Sequence, residues 1–332
     1  MNNLKGKRIL FIGNGFYNYE KNIEQEFVKR GAEVFYFSSS INITKYIFLL
    51  KILTLILSDR QLFSLLSKKL LKVIKEQPDT IDYIFINKGV SFRKKHVELL
   101  NEKYPNVPTV LYFWDSLNRV ENKDLLLSSY SGIMTFDRLD SLRYNIKFRP
   151  LFYVIEDKVS CSDIKYDISF VGNMHSIRFA VLRKIKRMLI SNGINYNFKL
   201  YINKYIYFIQ KYIFHTISNE DDDILTTSVI PYKDYLNISR HSNVILDISH
   251  PLQSGLTIRS IESIGLCKKI LTTNEDIVNY NLPETMVQHL SQKGTELDLE
   301  FIKNRNNEQY DREMYSLSSF VDDIIQMWCN IK

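Results

Sequence analysis

The chain has 332 residues, 45% hydrophobic and 24% charged. That is enough to bury two cores of ordinary domain size and too apolar for a disordered protein. Its 44 Lys and Arg against 37 Asp and Glu leave a net charge of +7, which suits an anionic ligand or an acidic membrane surface without indicating nucleic acid. Cys161, Cys267 and Cys329 lie far apart with no C-x-x-C pair, so neither a disulfide framework nor a zinc site is expected, in keeping with a reducing cytoplasm.

The first strand begins almost at once, in "KRILFIG", and no signal peptide is expected before it. Gly13, Asn14 and Gly15 break this apolar run. "YEKNIEQEFVKRG" then spaces Ile23, Phe27 and Val28 along one helical face, and "AEVFYF" is a second strand. A β-loop-α-β unit of this kind predicts a parallel sheet. A dinucleotide loop would need a third glycine where Asn18 stands, and an acidic residue after the second strand, where Ser38, Ser39 and Ser40 stand. An NAD(P)-dependent oxidoreductase is therefore the disfavoured alternative.

The stretch 43–57, "ITKYIFLLKILTLIL", is strongly apolar but carries Lys45 and Lys51 and is too short to span a bilayer. Two readings stay open for it and for 201–215, "YINKYIYFIQKYIFH": core helices, or helices resting on a membrane surface with aromatic rings and lysines at headgroup level. Between them, helices at "LLSKKLLKVIKEQ" and "RKKHVELLNEKYPN" alternate with strands at "IDYIFINKG", "PTVLYFWD" and "GIMTFD". The rhythm predicts a doubly wound α/β domain to about residue 155.

The second half restarts that rhythm. "YDISFVGN" reads as strand and glycine turn, followed by the basic helix "SIRFAVLRKIKRMLISNG" and the strand "YNFKLYI". "SNEDDDIL" reads as a solvated loop, "YKDYLNISRHS" as a helix and "NVILDIS" as a strand. "TIRSIESIGLCK" is a helix, "KILTTN" a strand and "LSSFVDDIIQMWCNI" a closing helix.

The most informative segment is 247–274, "DISHPLQSGLTIRSIESIGLCKKILTTN". It resembles the donor-binding segment of GT-B glycosyltransferases that build bacterial capsule, O-antigen or lipopolysaccharide glycans, including the spore-maturation-type and family-4-like enzymes. The matching parts are Ser254-Gly255-Leu256-Thr257, Arg259, Glu262, Gly265, Lys268-Lys269 and Thr272-Thr273-Asn274. In retaining relatives one glutamate stands by the sugar and a second on the ribose; Glu262 matches the second, while Ser254 stands where the first would be. "YDISFVGNMHSIR", "IPYKDYLNISRHSNVILDISHP", "LYFWDSLNR" and "TFDRLDSLRYNIKFRPLFY" resemble the same enzymes, most closely over 165–280 and least over 40–105.

The resemblance implies a GT-B architecture: two Rossmann-like doubly wound domains facing across a cleft, with a C-terminal helix packing back on the first. Expected boundaries are 1–155 for an acceptor domain, 156–312 for a nucleotide-sugar domain and 313–332 for the returning helix. It places Gly172 and Asn173 near the nucleotide, Arg178 on its phosphates, Tyr232 near the base and His250 beside the donor. The amides of Gly255, Leu256 and Thr257, at a helix start, suit a diphosphate, with Arg259 as a charged fork and Glu262 on the ribose.

In the first domain Asp115 is the expected general base or acceptor anchor, or else a cap of the next helix, and Gly13, Asn14 and Gly15 form the acceptor-side wall. No cofactor and no essential metal are expected. Asp221, Asp222 and Asp223 follow no apolar strand, and His175, His241 and His250 lack a metal-ligand spacing. The implied partners are a nucleotide-sugar donor and a glycan or lipid-linked glycan acceptor, at the cytoplasmic face of the inner membrane and without nucleic acid. An inactive nucleotide- or sugar-binding subunit of a glycan assembly complex is the remaining alternative.

Overall fold

The computed structural model describes residues 4–15, 18–39, 59–154, 163–251, 253–291, 297–305 and 308–331. The apolar stretch 43–57 and Cys161 lie outside the described residues. The chain divides into two units, Met1–Val154 with Ser316–Lys332, and Ile155–Tyr315.

Unit 1 alternates strand and helix: β1 (Arg8–Gly13), α1 (Tyr19–Lys29), β2 (Glu33–Ser38), α2 (Asp59–Glu76), β3 (Tyr83–Asn87), α3 (Lys94–Lys103), β4 (Thr109–Phe113), α4 (Lys123–Ser129), β5 (Gly132–Thr135), α5 (Arg138–Tyr144) and β6 (Lys147–Phe148). The strands pair in parallel in the order β2-β1-β3-β4-β5-β6. Ile9, Leu10, Phe11 and Ile12 are all buried, as a parallel strand covered on both faces requires. Successive side chains point to opposite faces. Leu10 and Ile12 join a cluster with Ile84, Ile86, Leu111 and Phe113, while Phe11 meets Phe27 and Phe85 edge-on or tilted on the other side.

Unit 2 repeats the plan with β7 (Tyr166–Asn173), α6 (Ser176–Ser191), β8 (Tyr196–Tyr201), α7 (Lys204–Phe208, widening into a π turn over Ile209–Ile213), β9 (Leu225–Thr226), α8 (Tyr232–Arg240), β10 (Ser242–Asp247), α9 (Ile258–Gly265), β11 (Lys269–Thr272), β12 (Val287–His289) and α10 (Leu299–Lys303). Its parallel order is β12-β11-β10-β7-β8-β9. Ile168, Phe170, Leu182, Phe198, Val244 and Leu246 are among its buried core.

The closing helix α11 (Leu317–Asn330) belongs to unit 1, where the expected return to the first domain is met. Ser316 caps it by accepting from the Ser319 amide. Trp328, 1% exposed, lies 4.8 Å from Tyr83 in a stacked pair and 5.6 Å from Phe27, and its indole N–H donates to the Ile84 carbonyl at 2.9 Å.

Two expectations differ from what is found. The stretch 201–215 is not a core helix: Tyr205, Phe208, Tyr212 and Phe214 are each more than half exposed. Nor is the run of three aspartates wholly solvated: Asp222 and Asp223 are exposed in a surface turn, as expected, but Asp221 is buried. Asp221 pairs with Arg183 at 2.8 Å, Asp222 with Lys211, and Asp223 with Lys186. Among the described residues no helix is long and apolar enough to cross a membrane.

Trp328 ties α11 to the sheet by packing and by one hydrogen bond. Trp328→Ala is expected to cost about 3–5 kcal/mol of stability, read as a lowered urea midpoint by far-UV circular dichroism.

Candidate functional site

In a parallel sheet whose strand order reverses, the crevice beyond the carboxyl ends of the two strands at the reversal is the natural ligand position. In unit 2 the reversal falls between β7 and β10. Most of the residues expected to hold the donor lie at this edge.

Asp247 ends β10 and is wholly buried. Its Oδ1 accepts from Arg259 Nη1 at 2.7 Å and from Thr257 Oγ1 at 2.9 Å; its Oδ2 accepts from Ser260 Oγ at 2.9 Å and Thr272 Oγ1 at 3.3 Å. Thr257 is also the N-cap of α9, accepting from the Ser260 amide. Arg259 directs Nε and Nη2 to the Val171 carbonyl at 3.1 and 2.7 Å, and its guanidinium lies 4.4 Å over the Phe170 ring. The fork expected to face a diphosphate is thus bonded within the fold, and what it offers a ligand is charge and its remaining edge. Gly172 permits this: a Cβ there would lie 2.8 Å from Arg259 Nη2 and 3.0 Å from the Phe170 ring.

Arg178, on the first turn of α6, reaches the same place from the other strand. It donates to the Ile248 carbonyl at 3.2 Å and the Asn173 carbonyl at 3.4 Å, and among the described residues it has no carboxylate in ion-pair range. Burial, and then the neighbouring Arg259 charge, pull it below its ordinary pKa, with Asp247 opposing. Two guanidinium groups against one carboxylate leave an excess of positive charge that an anion would relieve. The positive end of the α9 dipole adds to that excess.

Ser249, Ser254 and Gly255 are pinned by side chains that follow β11. Asn274 Nδ2 donates to the carbonyls of Ser254 and Gly255 at 3.0 and 3.2 Å, and Thr273 Oγ1 accepts from the Ser249 amide at 3.0 Å. Ser254 and Leu256 are buried. The Leu256 amide, expected to be an unpaired donor, gives its hydrogen to the Tyr280 hydroxyl at 3.2 Å. His250 is half-buried, its ring 6.4 Å from that of His175. Glu262, 1% exposed, accepts from the Tyr232 hydroxyl at 2.6 Å, while the Tyr232 ring is 41% exposed. Burial, with the Glu262 charge, holds the Tyr235 phenol well above its usual pKa. Beside exposed Asn173, at the ends of β7 and β8, a cavity of about 970 Å³ is lined by His175, Arg183, Tyr201, Gln210 and His215 among others, a size typical of small-molecule sites.

In unit 1 the strand order reverses between β1 and β3, and the crevice there is closed by the protein itself. Glu20, buried at the start of α1, accepts from the Asn14 and Gly15 amides at 2.7 and 2.8 Å, from Asn87 Nδ2 at 2.7 Å and from the Tyr36 hydroxyl at 2.9 Å. The amides that would cradle a pyrophosphate hold a carboxylate instead. Burial and Glu20 keep the Tyr36 phenol above its usual pKa and hence a donor. A Cβ on Gly13 would stand 2.7 Å from the Tyr36 ring and closer still to Glu20. Asp115, just past β4, is half-exposed and pairs with Lys88 at 3.1 Å. It does not cap the next helical turn, where the Leu117 amide donates to Asp140 at 2.6 Å. Among the described residues no group of three His, Cys, Asp or Glu could hold a metal ion.

Sequence reasoning missed Glu20, Lys88 and the role of Asp247. Only Asp247 had a local signal, a carboxylate at the end of an apolar strand.

No family model and no curated protein matches the sequence. Solved structures do match in three dimensions. A UDP-GlcNAc 2-epimerase from Neisseria meningitidis bound to UDP-GlcNAc is 11% identical, with a TM-score of 0.56 over 97% of this chain and 99% of that one. A glycosyltransferase from Rickettsia africae is 12% identical, with a TM-score of 0.54 over 100% and 99%. The glycotransferase of kitacinnamycin is 10% identical, with a TM-score of 0.52 over 97% and 99%. The fold is of the GT-B class. At these identities the likeness concerns the fold alone.

Glu20→Gln would turn an amide NH2 toward groups that already donate. It is expected to cost about 1–3 kcal/mol, read by chemical denaturation. Asp247→Asn would leave the mostly buried Arg259 charge without its counter-ion and is expected to cost about 3–5 kcal/mol in the same measurement.

Proposed function

We propose that this chain is a glycosyltransferase that moves a sugar from a nucleotide-sugar donor to a bacterial surface glycan, the acceptor being lipid-linked. The observation that carries the proposal is the pair Arg178 and Arg259 against the single carboxylate of Asp247, at the strand-order reversal of unit 2. A diphosphate there would meet both guanidinium groups and the first amides of α9. As the sugar leaves, negative charge grows on the diphosphate, and fixed positive groups stabilise that charge where it develops. Transfer in this reading needs no metal.

The remaining donor groups follow from their positions. Gly172 and Asn173 border the nucleotide, Glu262 with Tyr232 meets the ribose and base, and His250, Ser254, Gly255, Leu256 and Thr257 form the loop beside the phosphates. The segment 156–312 is proposed as the donor domain and 1–155, completed by 313–332, as the acceptor domain. There Asp115 would take the proton of the attacking hydroxyl, with Lys88 holding its orientation, and Gly13, Asn14 and Gly15 would form the acceptor wall. Unit 1 supports this assignment because its own crevice is filled by Glu20, which repels a phosphate. The same filling disfavours a nicotinamide cofactor at the first loop. The structures that match in fold include proteins named for UDP-GlcNAc chemistry and for glycosyl transfer, which makes UDP-GlcNAc the first donor to try.

The test is binding followed by product analysis. A nucleoside diphosphate among UDP, GDP and the cytidine nucleotides should raise the melting temperature, and NAD(P) should not. Arg178→Ala should weaken that nucleotide roughly 10- to 150-fold, the range of a lost charge-assisted hydrogen bond. Incubation with the matching nucleotide sugar should release nucleotide by transfer or slow hydrolysis, with EDTA making no difference. Failure of every nucleotide to bind would end the proposal, and conversion of the donor to its epimer would replace transfer by epimerisation.

A further inference from the structure

Helix α7 is amphipathic and turned inside out. Tyr205, Ile206, Phe208, Ile209, Tyr212 and Ile213 are each 40–69% exposed, as is Phe214 just beyond. At about 100° per residue the α-helical part sets Tyr205, Ile206, Phe208 and Ile209 on one arc of about 160°. The π turn, with its i→i+5 bond from the Phe214 amide to the Ile209 carbonyl, keeps Tyr212 and Ile213 above Phe208 and Ile209. The polar side faces inward. Tyr207 donates to Asp222 at 2.7 Å, Lys211 donates to Tyr207 at 2.9 Å and forms an ion pair with Asp222, and Tyr207 also packs against the unit 2 core.

A water-exposed helix normally hides its apolar face, and a contiguous apolar patch of this kind marks a contact surface. Here one ion pair, Lys211 to Asp222, and the packing of Tyr207 fasten the helix to the fold, and the apolar arc is left exposed, with Ile206 also lining the cavity beside Asn173.

We propose that this outward face of α7 seats on a lipid bilayer rich in anionic headgroups. Three observations select a bilayer. The arc combines tyrosines with isoleucines and phenylalanines, and tyrosine suits the boundary where one end of a side chain is wet. Between Asn197 and Ser218 the chain carries Lys199, Lys204 and Lys211 and no Asp or Glu; Lys211 is paired with Asp222, and Lys204, 5.4 Å from the Tyr205 ring, is the positive charge beside the arc. The helix is ten residues long, about 15 Å. Against a second copy it would bury one stripe, well short of the roughly 1,200 Å² that stable protein interfaces bury, whereas a bilayer takes up the entire arc. This inference is independent of the donor reading, since vesicle binding and nucleotide binding are measured separately.

The experiment is co-sedimentation of the full chain with vesicles of phosphatidylcholine containing roughly one-third phosphatidylglycerol, and with phosphatidylcholine alone. The protein should pellet with the anionic vesicles and much less with the neutral ones. Phe208→Ser with Ile213→Ser should lower the partition at least about tenfold, and Lys204→Glu by roughly fivefold or more. Val278→Ser, the same kind of change at an exposed apolar side chain elsewhere in unit 2, should leave it unchanged. Circular dichroism and an unaltered melting temperature verify that the double variant is folded. Wild-type protein left in the supernatant with both vesicles would overturn the proposal, as would a double variant that pellets like wild type. A dimer by light scattering that the double variant converts to monomer, without vesicle binding, would assign the face to self-association instead.

Discussion

One buried carboxylate organises the carboxyl edge of unit 2. Asp247 has no contact with solvent, and an ion taken out of water costs several kcal/mol unless charge and hydrogen bonds replace the lost hydration. Arg259 supplies the charge and Thr257, Ser260 and Thr272 the hydrogen bonds. Those partners come from the cap and first turn of α9 and from the end of β11. A single side chain therefore sets the start of the helix, the height of the strand and the direction of the guanidinium. With Arg259 committed to this framework, Arg178 is the cation left in excess, and the proposed binding of a diphosphate at this edge rests on that excess.

Unit 1 begins with the same local grammar of strand, glycine turn and helix and resolves it in the opposite way. The turn amides of Asn14 and Gly15, the hydroxyl of Tyr36 and the amide of Asn87 converge on Glu20, so the donors are satisfied from within and the crevice is closed to phosphate. The two halves, alike in topology, are thus opposite in electrostatic character. In the proposed reading the second half takes the diphosphate and the first takes the hydroxyl-bearing acceptor, beside Asp115 and Lys88.

Most strands and helices were legible in the sequence because their signals are local. Apolar runs such as "ILFI" and "VILD" become strands, and glycine turns end them. The short β12 and α10 escaped notice because three to five residues carry too little periodicity to stand out. What the sequence hid in general was pairing across distance. Nothing in "YEKN" indicates that Glu20 folds back onto the glycine turn, since its partners at Asn87 and Tyr36 are distant along the chain. The string Thr272-Thr273-Asn274 was legible as part of a motif, yet its physical role needs the fold: Thr273 and Asn274 brace Ser249, Ser254 and Gly255, while Thr272 bonds Asp247. The aromatic stretch 201–215 was misleading as a core candidate, because composition reports how apolar a helix is and says nothing of which way it faces.

The division of unit 1 into two stretches bears on how the molecule is made. Its sheet is complete in sequence by Phe148, but the helix that covers Phe27, Tyr83 and Phe85 through Trp328 and Phe320 arrives only after all of unit 2. During synthesis the half that emerges first from the ribosome must therefore wait, one greasy flank bare, while the uninterrupted second half can already close. Protection of that flank by a chaperone, or by slow emergence of the nascent chain, is a demand this connectivity places on the cell.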